Sequence, residues 1–82
     1  MSKERKEIIN QINEKWLAVT EIIPELKELF EPQFNPSINH VFIRQSLFKP
    51  KYVVFRCSTT SFLEVDALKL AEILIHCIAY IV

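Results

Sequence analysis

An α+β fold built as helix, β-hairpin and helix is what this sequence predicts, and three observations carry it. Apolar residues recur at spacings of three and four through residues 3–31. Two runs rich in β-branched and aromatic residues flank Lys49-Pro50-Lys51. A second helical run, apolar around most of its circumference, follows Ser61. With 82 residues the chain is expected to form one domain, 1–82, and with half of its residues apolar it can build a core without disulfide staples.

The first helix is expected over residues 3–31. Ile9, Ile12, Trp16, Val19, Ile23, Leu26 and Phe30 form one stripe, widened by Ile8, Ile22 and Leu29. Glu7, Glu14, Lys15, Glu21, Glu25, Lys27 and Glu28 occupy the other face. Such a pattern lays one face on a core, and Trp16 is read as part of it rather than as a stacking platform. Pro24 interrupts the pattern, because a proline inside a helix removes a hydrogen bond and crowds the preceding turn. A kink is therefore expected near residues 20–23, with Thr20 as N-cap of a second piece. Pro32 ends the helix, since the residue before a proline avoids the α region.

Residues 32–37, with two prolines and an asparagine, read as a loop. Residues 38–48 and 52–58 read as two antiparallel strands joined through Lys49-Pro50-Lys51. Val41, Ile43 and Leu47 alternate with Phe42, Arg44 and Ser46. On the second strand Val53, Phe55 and Cys57 alternate with Tyr52, Val54 and Arg56. Pairing about the turn places Arg44 opposite Cys57. Ser61 and Glu64 read as a capping box for a last helix that runs from Phe62 to the C-terminus. Asp66, Lys69, Glu72 and His76 are its narrow polar stripe. The closing run Ile-Ala-Tyr-Ile-Val also suits a strand, but no turn residue separates it from the helix.

Glycine is absent, where average usage of about 7% would supply about six residues. Phosphate-cradling loops, dinucleotide fingerprints and nucleophile elbows all need glycine for positive φ or close backbone approach, so their usual forms are excluded. No enzyme motif is found and no cofactor is expected. His40, Cys57, His76 and Cys77 have the chemistry of metal ligands but not the spacing. A thiolate pair of Cys57 with either histidine is conceivable, yet Cys57 shares a face with Val53 and Phe55 and reads as core. The hydroxyls of residues 58–61 are explained by capping more simply than by anion binding. Two cysteines form no disulfide framework and read as free thiols in a reducing compartment.

Basic residues near the start are followed by Asn10, Gln11, Asn13 and Glu14 rather than by the apolar run of a signal peptide. The last ten residues are nearly all apolar, but a membrane span needs about twenty. A cytoplasmic, soluble protein is the expectation.

Charge by segment is the sharpest functional signal. Residues 1–31 hold five basic and seven acidic side chains, and residues 62–82 hold one and three. Between them, residues 32–61 hold Arg44, Lys49, Lys51 and Arg56 and no acid. A basic hairpin of this kind suits an acidic protein surface or, if doubled in a dimer, nucleic acid. Protection of an exposed strand edge explains the same charges without a partner. The last helix is too apolar for so small a chain to cover, which points to a homodimer or to a hydrophobic partner site. The expected function is a small non-enzymatic interaction module that occludes a partner surface. Its anchors would be Arg44, Lys49, Lys51 and Arg56 with Phe42, Phe48 and Tyr52, or the apolar helix. By size and composition such chains are often inhibitors, immunity factors or antitoxins of phage and mobile elements. The alternative is a dimeric nucleic-acid binder with paired basic hairpins.

Overall fold

A computed structural model of the chain describes residues 3–45 and 53–81. Helix α1 spans Lys3–Ile22, a single turn α2 spans Leu26–Leu29, and strands β1, Phe30–Asn35, and β2, His40–Gln45, follow. Strand β3 is Val53–Ser58, and helices α3, Thr59–Glu64, and α4, Ala67–Ile81, complete the order. The strands form one antiparallel sheet in the order β1-β2-β3. The α+β class and the amphipathic first helix therefore hold, while the two-stranded αββα arrangement is replaced by a three-stranded sheet followed by two helical pieces.

Strand β1 lies where a helix end and a loop were expected. Pro32 explains both the expectation and the outcome. It bars the helix, so Phe30 already turns extended at φ −134°, ψ 157°. It does not bar a strand, because β1 is at the sheet edge, where only one side of the strand must hydrogen-bond. Pro32 sits opposite Ile43 in the ladder. The turn from β1 to β2 covers residues 36–39. Asn35 Oδ1 accepts a hydrogen bond from the Ser37 amide at 3.0 Å, and Asn39 takes φ +54°, a left-handed conformation that asparagine tolerates better than most. In a chain without glycine, asparagine supplies the reversal.

The break in the first helical segment falls at residues 23–25, just after the expected position. The amides of Leu26, Lys27 and Glu28 bond to the carbonyls of Ile23, Pro24 and Glu25, three residues back, which tightens the chain through the proline. Thr20 is no N-cap. It is buried within α1 and its hydroxyl donates to the Leu17 carbonyl at 3.0 Å.

Between β2 and β3 the register pairs Val41 with Cys57, Phe42 with Arg56 and Ile43 with Phe55, then shifts so that Arg44 meets Val53. Arg44 is thus not opposite Cys57. The bulge leaves Val54 as the extra residue and sends Val53 to the exposed side, against the simple alternation. The expected turn Lys49-Pro50-Lys51 lies outside the described residues.

The last helix does not start at Ser61. Ser58 is the N-cap of α3: its hydroxyl oxygen accepts from the Ser61 amide at 3.1 Å and lies 3.0 Å from the Ser61 hydroxyl. The helix then breaks at Val65, which is extended, and resumes at Ala67. Lys15 of α1 secures the break, donating from Nζ to the carbonyls of Leu63 and Val65, which the end of α3 leaves without helical partners. The chain then stays helical to Ile81, which removes the strand alternative.

Every helix contributes to one core. Ile12 and Val19 of α1, Leu26 of α2, Phe62 of α3, and Leu70, Ala71 and Leu74 of α4 pack with Phe30, Val41 and Ile43 of the sheet. The helices thus cover one face of the sheet. Along α4 this leaves Leu68 and Ile75 exposed at 50% and 40%, with exposed Glu72 between them. Over its described side chains, Ala67 to Cys77, the helix is buried along one side, not all round.

Phe62→Ala should lower stability by about 3–5 kcal/mol, read as a shift of the urea midpoint with an unchanged slope. Ser58→Ala should cost about 1 kcal/mol and Ser61→Ala clearly less. The reverse ranking would return the cap to Ser61.

Candidate functional site

The pleat of β2 sends Val41 and Ile43 into the core and His40, Phe42 and Arg44 to the opposite face. Ladder pairing then brings Ser58 opposite His40, Arg56 opposite Phe42 and Val53 opposite Arg44. From the other side β1 presents Asn35, Gln33 and Glu31 opposite His40, Phe42 and Arg44. None of these nine residues belongs to the core cluster, and the described helices all pack on the other face. A one-sided antiparallel sheet of this kind normally shows water a polar surface. Here the centre of that surface is Phe42.

Two guanidinium groups flank the Phe42 ring. The Cζ atoms of Arg44 and Arg56 lie 5.9 Å and 5.8 Å from its centroid, and the His40 ring lies 6.5 Å away at a tilt of 32°. Each arginine gains about 0.5–1 kcal/mol from the ring quadrupole and shields the phenyl from water. The arrangement is incomplete in one respect. Arg44 Nε is buried and has no hydrogen-bond partner among the described residues. An unsatisfied buried donor costs about 1–3 kcal/mol, more when charged. Glu31, itself engaged, is the acid across the ladder from Arg44. His40 Nδ1 is 2.6 Å from the Ile38 carbonyl, so the proton is placed on Nδ1 and the ring is anchored to the turn.

Of the expected anchors, the structure brings Phe42, Arg44 and Arg56 together on this face. Lys49, Lys51, Phe48 and Tyr52 lie outside the described residues. His40, Gln33 and Glu31 are additions. His40 shares the alternation of Phe42 and Arg44 and was detectable on that ground. Gln33 and Glu31 were not, because their segment read as helix end and loop.

A second concavity lies between α1 and the edge strand. Ile9, Ile12, Pro32, Phe34 and Pro36 line a half-open groove of about 380 Å³, with Arg5 and Asn13 also contributing to its lining. It exists only because residues 30–35 form a strand beside α1.

Cys57 and Cys77 are free and half-buried. Burial pushes the Cys57 thiol up from its ordinary value of 9.0, the direction opposite to an activated nucleophile. Cys77 Sγ lies 3.6 Å from the Val54 carbonyl and donates to it. His40 and Cys57 sit on opposite faces of the sheet. Among the described residues no three metal-ligating side chains gather, and no helix is long and apolar enough to cross a membrane. Comparison with protein-family models, curated proteins and solved structures finds no match for the chain.

The raised Cys57 value sets a sign for stability. Below the unfolded thiol's ordinary value both states are protonated and stability is unaffected. Above it the unfolded thiol ionises first, so stability falls as pH climbs toward the raised folded value. Urea unfolding of the wild type should therefore weaken on the alkaline side of pH 9.0 more steeply than that of Cys57→Ser. Equal alkaline slopes would show that burial of this thiol has no energetic consequence.

Proposed function

We propose that this protein is a non-enzymatic interaction module that occludes an acidic surface of a protein partner with the open face of its sheet. The observation that carries the reading is the half-buried Phe42 ring with Arg44 and Arg56 held beside it. Interfaces draw most of their binding energy from arginine and aromatic anchors seated where water is excluded. Both guanidinium groups are already ordered against the ring, so less side-chain entropy is lost on docking than for free surface arginines. The surrounding segment 32–61 carries four basic residues and no acid, although the whole chain is neutral. Arg44 and Arg56, the two of these four whose position is described, would draw an acidic partner to this face rather than to the helices, which carry the compensating acids.

Occlusion of a partner surface is how an inhibitor, immunity or antitoxin protein acts, and the small size of the module suits that role. A second copy is a further partner favoured by a specific observation: Leu68 and Ile75 lie seven residues apart, two helical turns, on one exposed side of α4. Self-association there would leave the sheet face free and present it twice.

Poly-glutamate tests the reading, because a protein of zero net charge binds it only through a local basic patch. Binding should be measurable at low salt and should weaken steeply as salt rises. The double variant Arg44→Glu/Arg56→Glu should reduce it by at least about tenfold with an unchanged far-ultraviolet circular dichroism spectrum. Undiminished binding by a folded double variant would move the site away from the sheet face.

A further inference from the structure

We infer that the outer edge of β3 takes an extended segment of the acidic partner as a fourth strand, with a carboxylate set opposite Arg56. The inference rests on the interaction reading above and names the docking mode and the kind of segment that docks. Backbone parity carries it. The Thr59 amide donates to the Asn39 carbonyl at 3.0 Å, in register with the pairs that run from His40 and Ser58 to Ile43 and Phe55. Bonded pairs alternate with unbonded ones along an antiparallel ladder. Asn39, Val41 and Ile43 therefore turn their backbone groups toward β3. His40, Phe42 and Arg44 turn theirs toward β1.

The two edges of the sheet differ as a result. On β1, Glu31, Gln33 and Asn35 bond to β2, and Phe30, Pro32 and Phe34 face away from it. Of these outward positions, Phe30 spends its amide on the Leu26 carbonyl and Pro32 has none to offer. Phe34 alone is left. On β3, Phe55 and Cys57 bond to β2, and Arg56 and Ser58 face away. Neither is a proline. Among the described residues no strand pairs beyond β3, and no backbone bond outside the regular elements involves Arg56. The β1 edge is nearly closed to strand addition and the β3 edge is not.

The side chains along β3 specify the segment. Phe55 and Cys57 pack against the core but are only half-buried, whereas Val41 and Ile43 beside them on β2 are fully buried. Apolar side chains of an added strand would lie next to Phe55 and Cys57 and extend the cover. Arg56 is exposed on the other face, held beside Phe42. Opposite charges facing each other across a pair of strands attract, and like charges repel. A second copy of β3 paired about Arg56 would set two arginines against each other. A partner segment that reads apolar, acidic, apolar meets all three positions.

The test uses the full chain and follows the backbone amides of Arg56 and Ser58 by nuclear magnetic resonance and hydrogen exchange. The probe is a capped threonine–valine–glutamate–valine–threonine pentapeptide. One control carries lysine in place of glutamate. The other is methylated on the glutamate backbone nitrogen, which keeps the carboxylate and removes one ladder donor. The parent peptide should slow exchange at the Arg56 amide and shift that of Ser58. The methylated peptide should bind about tenfold more weakly, and the lysine peptide about tenfold more weakly as well. Arg56→Pro, which removes an outward amide and the charge, should weaken binding further than Arg56→Gln, which removes the charge alone. Should Arg56→Pro alter the fold, the methylated peptide decides the same question. Equal binding of the parent and methylated peptides overturns strand addition and leaves the acidic-surface reading standing. Equal binding of the lysine peptide overturns the acidic segment as the occupant. Protection of the Arg56 amide that grows with protein concentration in the absence of peptide makes the occupant a second copy and overturns the inference. No binding of the pentapeptide by a chain that still binds poly-glutamate sinks the inference alone. Failure of both ligands sinks the interaction reading with it.

Discussion

The apolar side chains of a chain this short cover one face of a sheet, and the rest of the structure depends on which face that is. Helices α1 to α4 place Ile12, Val19, Leu26, Phe62, Leu70, Ala71 and Leu74 against Val41, Ile43 and Phe30, and among the described residues this single layer of contact is the core. The opposite face must then be made tolerable to water with the side chains the strands already carry. Gln33, Asn35 and Ser58 do this by polarity. Phe42 cannot, and Arg44 and Arg56 lie over it instead. The cationic cluster is thus first a physical answer to an apolar ring on a sheet face that no described helix covers. The binding proposed for it would use the same placement.

The edge strand depends on the same economy. A two-stranded hairpin would be marginal, and a third strand gives the helices a surface broad enough to pack on. Pro32 and Pro36 keep that strand short and poor in free donors, which discourages pairing with another chain. They also help to line the groove against α1. Lys15 ties α1 to the point where α3 gives way to α4.

Much of this was legible in the sequence where one period dominates. The stripe of α1, the alternation of Val41 and Ile43 with Phe42 and Arg44, and the break near Pro24 all follow from spacing and proline chemistry. Strand β1 was not legible, because the same Pro32 that ends a helix is compatible with an edge strand, and only the neighbouring strand decides. The Ser58 cap was hidden by a competing pair, Ser61 and Glu64, at the same spacing. The register of Cys57 was hidden because the ladder is not centred on Lys49-Pro50-Lys51: its pair nearest the connection is Arg44 with Val53, so Cys57 meets Val41, three residues from Arg44. For the site, Phe42, Arg44 and Arg56 were nameable from charge and alternation. Their meeting over one ring required the register, and the roles of Gln33 and Glu31 required β1.

Asn39 carries a thermodynamic consequence. It is the one residue at positive φ among those described, and it stands where most chains would place glycine. The left-handed conformation has a local energetic cost for asparagine. A glycine there would remove that cost but widen the range of conformations open to the unfolded chain. Carried through 82 positions without a single glycine, that restriction lowers the entropy of the denatured ensemble. A thin, one-layer core can then outweigh the disorder it must overcome, so part of this fold's stability resides in the state it leaves behind.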